Sequence, residues 1–279
     1  NVGPTHLERL GTLERIAQAK AELVQALPAE GLAILNGDDP RVRVMSALTQ
    51  APTVTFGLGP ENDLYAFDVE ARGLGGIAFG VEIRTERFPA APKRAIVRTP
   101  LLGRHSAMPA LAAIAVGLAE GLDWETISQG LEGISAGPRL VPRRLANGAL
   151  LIDDTYNASP ASCQAALDLL ASLNGRRIAV LGDMLELGEY EERAHREVGV
   201  MCASRKVARL ITVGERAQWI AEGAREAGLL AEEVLEMPNN QEALVLLQKM
   251  LREGDVVLIK GSRGMAMEEI VHGLEADLG

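Results

Sequence analysis

The sequence predicts an α/β protein, and three features carry that prediction. Beyond residue 140, short apolar runs alternate with helical spacings to the end of the chain. Those runs lack polar alternation, as strands of a parallel sheet covered on both faces should. Hydrophobic residues make up 47% of the chain and aromatic ones 3%, so small and branched aliphatics must fill the helix–sheet contacts.

In order, Thr12 to Leu27 has helical spacing, with Leu13, Ile16, Ala17, Leu23 and Leu27 recurring every three or four residues and Pro28 behind the stop. GLAILNGDDP reads as a short buried strand, Leu32 to Leu35, opening into a polar loop at Asn36 to Pro40. VTFGLG and the span 63–97 read as short strands with glycine turns. Pro109 to Gly121 is apolar nearly all round and reads as a buried helix; Trp124 to Leu131 makes another. ISAGPRLVPRR, residues 134–144, brings two prolines, a glycine and three arginines, so a domain boundary is placed near 140.

After the boundary, ALLIDD, RIAVLGDM, ARLITVG, EEVLEM and DVVLIKGS are the predicted strands. The helices between and after them are 160–173, 189–203, 217–227, 241–251 and 265–278. This gives two domains, 1–139 and 140–279, a size two ordinary cores can support.

The net charge of −10 argues against a general affinity for nucleic-acid phosphates but leaves room for a local basic pocket. Cys163 and Cys202 lack metal or redox spacing, so a reducing, cytoplasmic setting is the expectation. No apolar run reaches the roughly 18 residues of a spanning helix, so membrane insertion is not expected. The chain starts at Asn1, and NVGPTHLE reads like the exit from a strand in progress; the expectation is an N-terminally truncated chain.

Parallel sheets bind ligands at the carboxyl ends of their strands. Those ends carry DDTYN (153–157), GDMLELGE (182–189), VGE (213–215) and KGSRG (260–264). KGSRG puts Lys260, Ser262 and Arg263 on a glycine-flanked turn before a helix, chemistry suited to a carboxylate or phosphate, although solvated cations on a turn would look the same. Asp183 and Glu186 read equally well as a helix cap and a first-turn dipole partner. His6 and Lys20 stand fourteen residues apart, a spacing that by itself carries no meaning.

NVGPTHLERLGTLERIAQAKAEL, LNGDDP, GRHSAMPALAAIAVG, LLIDDTYNASPAS, VLGDMLELGE and LIKGSRGMAMEEIV, in this order, resemble the Mur ligase family over nearly the whole chain. DDTYNA and KGSRGM point to the branch that adds a dipeptide. The resemblance implies the second half of a P-loop-type central ATPase domain followed by a Rossmann-like C-terminal domain. It implies an ATP-dependent amide ligase of peptidoglycan synthesis, monomeric, joining D-alanyl-D-alanine to UDP-N-acetylmuramoyl-tripeptide through an acyl phosphate. ATP and Mg²⁺ are the implied cofactors.

Residue by residue, His6 matches the family histidine on the second Mg²⁺. Lys20 matches the lysine that is carbamylated and so offers hard oxygen to the metal. Arg139 resembles the arginine that contacts ATP phosphates. Asp153 or Asp154 stands where the family carries its ribose-contacting acid. Tyr156, Asn157, Lys260, Ser262 and Arg263 fall where the dipeptide or peptide substrate is received.

The chain departs from the family pattern at His105-Ser106-Ala107-Met108-Pro109, where H-N-x-x-N is usual, and at Ser159, where a second Asn is usual. No G-x-x-G-K-[ST] occurs in the 279 residues, so the chain alone is expected to be inactive. The alternatives are another Mur-superfamily amino-acid ligase and a non-catalytic fragment.

Overall fold

The computed structural model describes residues 1–4, 7–134, 137 and 139–278. The chain divides into two compact units, Asn1–Ser135 and Ala136–Gly279.

In the first unit, α1 (Leu7–Leu10) leads into α2 (Leu13–Gln25), whose N-cap Thr12 accepts the Arg15 N–H. Five strands follow: β1 (Ala33–Asn36), β2 (Thr53–Gly57), β3 (Leu64–Ala71), β4 (Ile77–Ile83) and β5 (Arg94–Thr99). They pair in sequence order, parallel from β1 to β3 and antiparallel from β3 to β5. The short helix α3 (Pro40–Arg43) is capped by Asp39, which accepts the Arg41 and Val42 N–H groups. α4 (Ala107–Ala119) packs on β2 and β3 and buries Leu111 and Ile114 against Val54, Leu64 and Phe79. It starts two residues before the predicted Pro109. That proline occupies the third helical position, where its missing N–H costs nothing. α5 (Trp124–Glu132) closes the unit, capped by Asp123 onto Thr126.

The second unit holds β6 (Val141–Arg144), β7 (Leu150–Asp154), β8 (Arg176–Gly182), β9 (Arg209–Val213), β10 (Val234–Met237) and β11 (Asp255–Lys260). Between and after them run α6 (Pro160–Ser172), α7 (Glu191–Ser204), α8 (Gln218–Glu226), α9 (Asn240–Met250) and α10 (Glu268–Leu278). The sheet order is β10-β9-β8-β11-β7-β6, parallel except for β6. β6 was unforeseen, because Pro142 argued for an irregular linker. It forms at the sheet edge, where a residue without an N–H is tolerated; Pro142 pairs with Ile152. The sheet is therefore mixed. One core joins Leu151, Ile178, Val180, Ile211 and Val257 to Met267, Ile270 and Leu274 of the closing segment. Among the described residues no helix is long and apolar enough to cross a membrane.

Candidate active-site rim

Because β7, β8, β9 and β11 run parallel, their carboxyl ends share one rim, as the sequence suggested. The side chains on it are committed differently from the sequence expectation.

Lys260 is not a solvated rim cation. It is 1% exposed, and its Nζ donates to Asp154 Oδ2 at 2.6 Å and to the Asn157 carbonyl at 2.7 Å. The parallel register places Lys260 beside Asp154 on neighbouring strands, which brings the charges together. Burial pushes the Asp154 carboxyl above its ordinary range, while Lys260, a Leu140 N–H and Arg139 pull it back. Leu140 adopts a left-handed φ of 52°. Lys260 thus holds the DDTYN exit in shape.

Asp153 points to the opposite face of the strand from Asp154. Its Oδ1 accepts from the Thr155 hydroxyl at 2.8 Å and the Thr155 N–H at 3.2 Å, and Arg143 approaches Oδ2 at 3.4 Å. Its side chain is 15% exposed against 7% for Asp154.

Tyr156 is 46% exposed and has two guanidiniums near its ring. Arg139 lies 5.3 Å and Arg263 6.0 Å from its ring centroid, so residues far apart in sequence put two cations over one aromatic ring. Arg263 also approaches Glu268 at 3.6 Å. Asn157 is exposed, and its Oδ1 accepts the Ala158 N–H. Ser159 caps α6 through a capping box with Ser162, so the residue that departs from the family pattern has a structural role here.

Ser262 is 4% exposed. Its N–H donates to the Asp183 carbonyl at 3.0 Å and its Oγ accepts the Leu185 N–H at 2.8 Å. It ties the 260–264 turn to the loop after β8. Asp183 does not cap the helix that follows it. Its carboxylate accepts the Ala217 N–H at 2.7 Å, at the start of α8. Burial raises its carboxyl above the usual range, against that N–H, His195 and Arg216. Glu186 is not in a helical first turn; its φ is 64°.

His195 was missed. It is fully buried on α7 between Glu191 and the loop after β8. The available signal was a histidine on the stripe formed by Ala194, Val198 and Cys202. Cys163 and Cys202 are buried free thiols; burial pushes the Cys163 thiol up to about 11.

In the first unit, Lys20 is exposed on α2. His6 lies outside the described residues. Among the described residues no three His, Cys, Asp or Glu side chains group as metal ligands, and an ammonium at Lys20 has no lone pair to offer. The described residues do not by themselves fit a Mg²⁺ ion.

Residues 1–117 match the Mur ligase middle domain and residues 139–263 the Mur ligase, glutamate ligase domain. The chain is 36% identical over 277 residues to the UDP-N-acetylmuramoyl-tripeptide--D-alanyl-D-alanine ligase of Bacillus subtilis (strain 168), covering 98% of this chain and 58% of that protein. It is 34% identical over 280 residues to the enzyme of the same name from Escherichia coli (strain K12), covering 99% and 59%. Among solved structures, crystal structure I of MurF from Acinetobacter baumannii matches with a TM-score of 0.84 at 30% identity, covering 99% of this chain and 58% of that one. MurF ligase from Thermotoga maritima in complex with ADP matches at 0.82 and 25% identity, covering 100% and 61%. The chain therefore spans well under two thirds of the length of these relatives. With Mur ligase domains matched in both of its halves, the chain belongs to the Mur ligase family.

Proposed function

We propose that the full-length protein is an ATP-dependent amide ligase of peptidoglycan precursor synthesis. It joins D-alanyl-D-alanine to UDP-N-acetylmuramoyl-tripeptide, in the cytoplasm and as a monomer. The observation that carries this reading is the end-to-end similarity, at 34–36% identity, to two relatives named for that reaction. The rim adds chemical support, since two guanidiniums flanking an exposed tyrosine suit anionic substrates.

In this reading the tripeptide carboxylate attacks the γ-phosphoryl group of ATP, the bond to the β-phosphate breaks, and ADP leaves as the acyl phosphate forms. The dipeptide amine then displaces phosphate from the acyl phosphate through a tetrahedral intermediate. The demands on the protein are neutralising phosphoryl charge and excluding water from the mixed anhydride. Arg139 meets the first with up to five N–H donors, and the Tyr156 ring limits the volume it searches. The ribose contact falls to Asp153 or Asp154, of which Asp154 holds Lys260 and Asp153 holds Thr155 and faces Arg143. Arg263 and Asn157 receive the peptide or dipeptide. Mg²⁺ on His6 and carbamylated Lys20 is proposed for the full-length protein only. Because G-x-x-G-K-[ST] is absent from the 279 residues, these residues alone should release no ADP.

The test is ligation by the full-length protein, supplying UDP-N-acetylmuramoyl-tripeptide, ATP and either D-alanyl-D-alanine or single amino acids. ADP release that depends on the dipeptide supports the reading. Preference for a single amino acid would transfer the protein to another branch of the family.

A further inference from the structure

The loop after β8 is held by three other parts of the chain across three consecutive residues. The Asp183 carboxylate accepts the Ala217 N–H of the α8 entry, and its carbonyl accepts the Ser262 N–H. The Met184 N–H donates to His195 Nε2 at 2.9 Å. The Leu185 N–H donates to Ser262 Oγ at 2.8 Å. Met184 is fully buried, so its N–H has no water to turn to if the imidazole cannot accept.

The partners fix the tautomer of His195. Nδ1 faces the Glu191 carbonyl at 2.7 Å and must carry the proton; Nε2 faces an N–H and must not. Trp219 of α8 meets the ring edge-on at 5.8 Å. The charged groups around it are Asp183 from the loop, Glu191 from α7 and Arg216 from the segment before α8. Asp183 and Glu191 favour the imidazolium, Arg216 opposes it, and burial outweighs the acids, so the imidazole stays neutral to lower pH than usual.

We propose that His195 is a positioning residue whose neutral imidazole locks the 183–185 loop against the turn that carries Ser262 and Arg263. Protonation puts N–H against N–H at Met184 and releases the loop. Ser262 then loses its Leu185 donor, and Arg263, next in sequence, loses its fixed place beside Tyr156. The consequence for dipeptide binding rests on the ligase reading; the lock itself does not.

The test uses the full-length protein, His195→Gln, whose side-chain oxygen can still accept from Met184, and His195→Phe, which fills the space without an acceptor. Amide hydrogen exchange at Met184 is followed by NMR from about pH 8 down to about pH 4.5, below the ordinary imidazole range, corrected for intrinsic rate and referenced to Val180. Wild type should lose about tenfold of its Met184 protection at the lower pH. His195→Gln should show no such pH step, and His195→Phe should exchange fast throughout. In ligation assays His195→Phe should raise the dipeptide KM about tenfold with kcat little changed, and His195→Gln should restore most of it. The proposal is overturned if Met184 protection survives in His195→Phe, or if His195→Gln keeps the wild-type pH step. If His195→Phe does not fold, the presence or absence of that step in His195→Gln decides. Failure of the wild type to ligate the dipeptide would remove the ligase reading and leave the exchange result to judge the lock.

Discussion

Lys260 and Asp154 form a buried ion pair, Nζ to Oδ2 at 2.6 Å, at the ends of adjacent parallel strands. Lys260 also supports the Asn157 carbonyl, so one side chain joins β11 to the polar exit of β7. Removing only the cation leaves an unpaired carboxylate in a dry site. Lys260→Met should therefore destabilise the protein by about 3–5 kcal/mol. Lys260→Met with Asp154→Leu should recover much of that loss, because the pair is then replaced by apolar groups. Urea unfolding of the three variants checks this, and a double variant no more stable than the single one would contradict it.

Gly182 and Gly261, at the ends of β8 and β11, both lie under the Met267 thioether. A Cβ at either position would stand 2.3 Å from Sδ, and Met267 is fully buried. Close approach, and no unusual φ, demands glycine here. Gly261→Ala should cost about 1–3 kcal/mol by overpacking. Met267→Ala alone should cost about 2–5 kcal/mol through the cavity it opens. Because the added methyl enters that cavity, the double variant should lose less than the two single losses together. Additive Tm shifts would count against the contact.

The sheet of the second unit was legible because uninterrupted apolar strands such as Val256–Ile259 and Ile178–Leu181 have no other comfortable home. The rim was legible by location, since polar residues closing such strands must emerge together. Their commitments were not. Lys260 and Asp154 are 106 residues apart, and only the register of β11 on β7 shows that they neutralise each other. Asp183 looked like a cap for its own helix and instead accepts the Ala217 N–H at the entry to α8, a tertiary choice that local spacing does not encode. Pro142 hid β6, since a proline is compatible with a linker and with an edge strand alike.

In the first unit, Glu82 on β4 accepts from Arg84 Nε at 2.7 Å, Arg94 Nε at 2.6 Å and the Tyr65 hydroxyl at 3.1 Å. The Arg84 hydrogen bond is the largest influence; with Arg94 and Tyr65 it outweighs desolvation and lowers the carboxyl from 4.5 to about 2. A depressed carboxyl stabilises the fold above its unfolded value and loses that contribution as pH falls through the folded one. Acid should thus weaken this sheet between 4.5 and about 2, and Glu82→Gln should flatten the dependence in that window. Carboxyl ¹³C titration gives the check; a Glu82 midpoint near 4.5 would refute the network's effect.

Arg139 and Arg263 share the Tyr156 ring but reach it from the start of the second unit and from the turn after β11. If Arg139 serves the nucleotide and Arg263 the peptide side, their losses separate kinetically. Arg139→Ala in the full-length protein should raise the KM for ATP about tenfold, the scale of a lost charged hydrogen bond. Arg263→Ala should do the same for D-alanyl-D-alanine and leave ATP nearly unchanged. Tyr156→Leu should cost well under about 1 kcal/mol in stability, since exposed cation–π contacts are weak. It should nonetheless raise both KM values, because each guanidinium loses the surface that restricts it. The same ordering cause predicts that Arg139→Ala and Tyr156→Leu are less than additive on the ATP KM. Strictly additive kinetics, with unfolding unchanged, would show that the ring and the arginine act independently on the nucleotide.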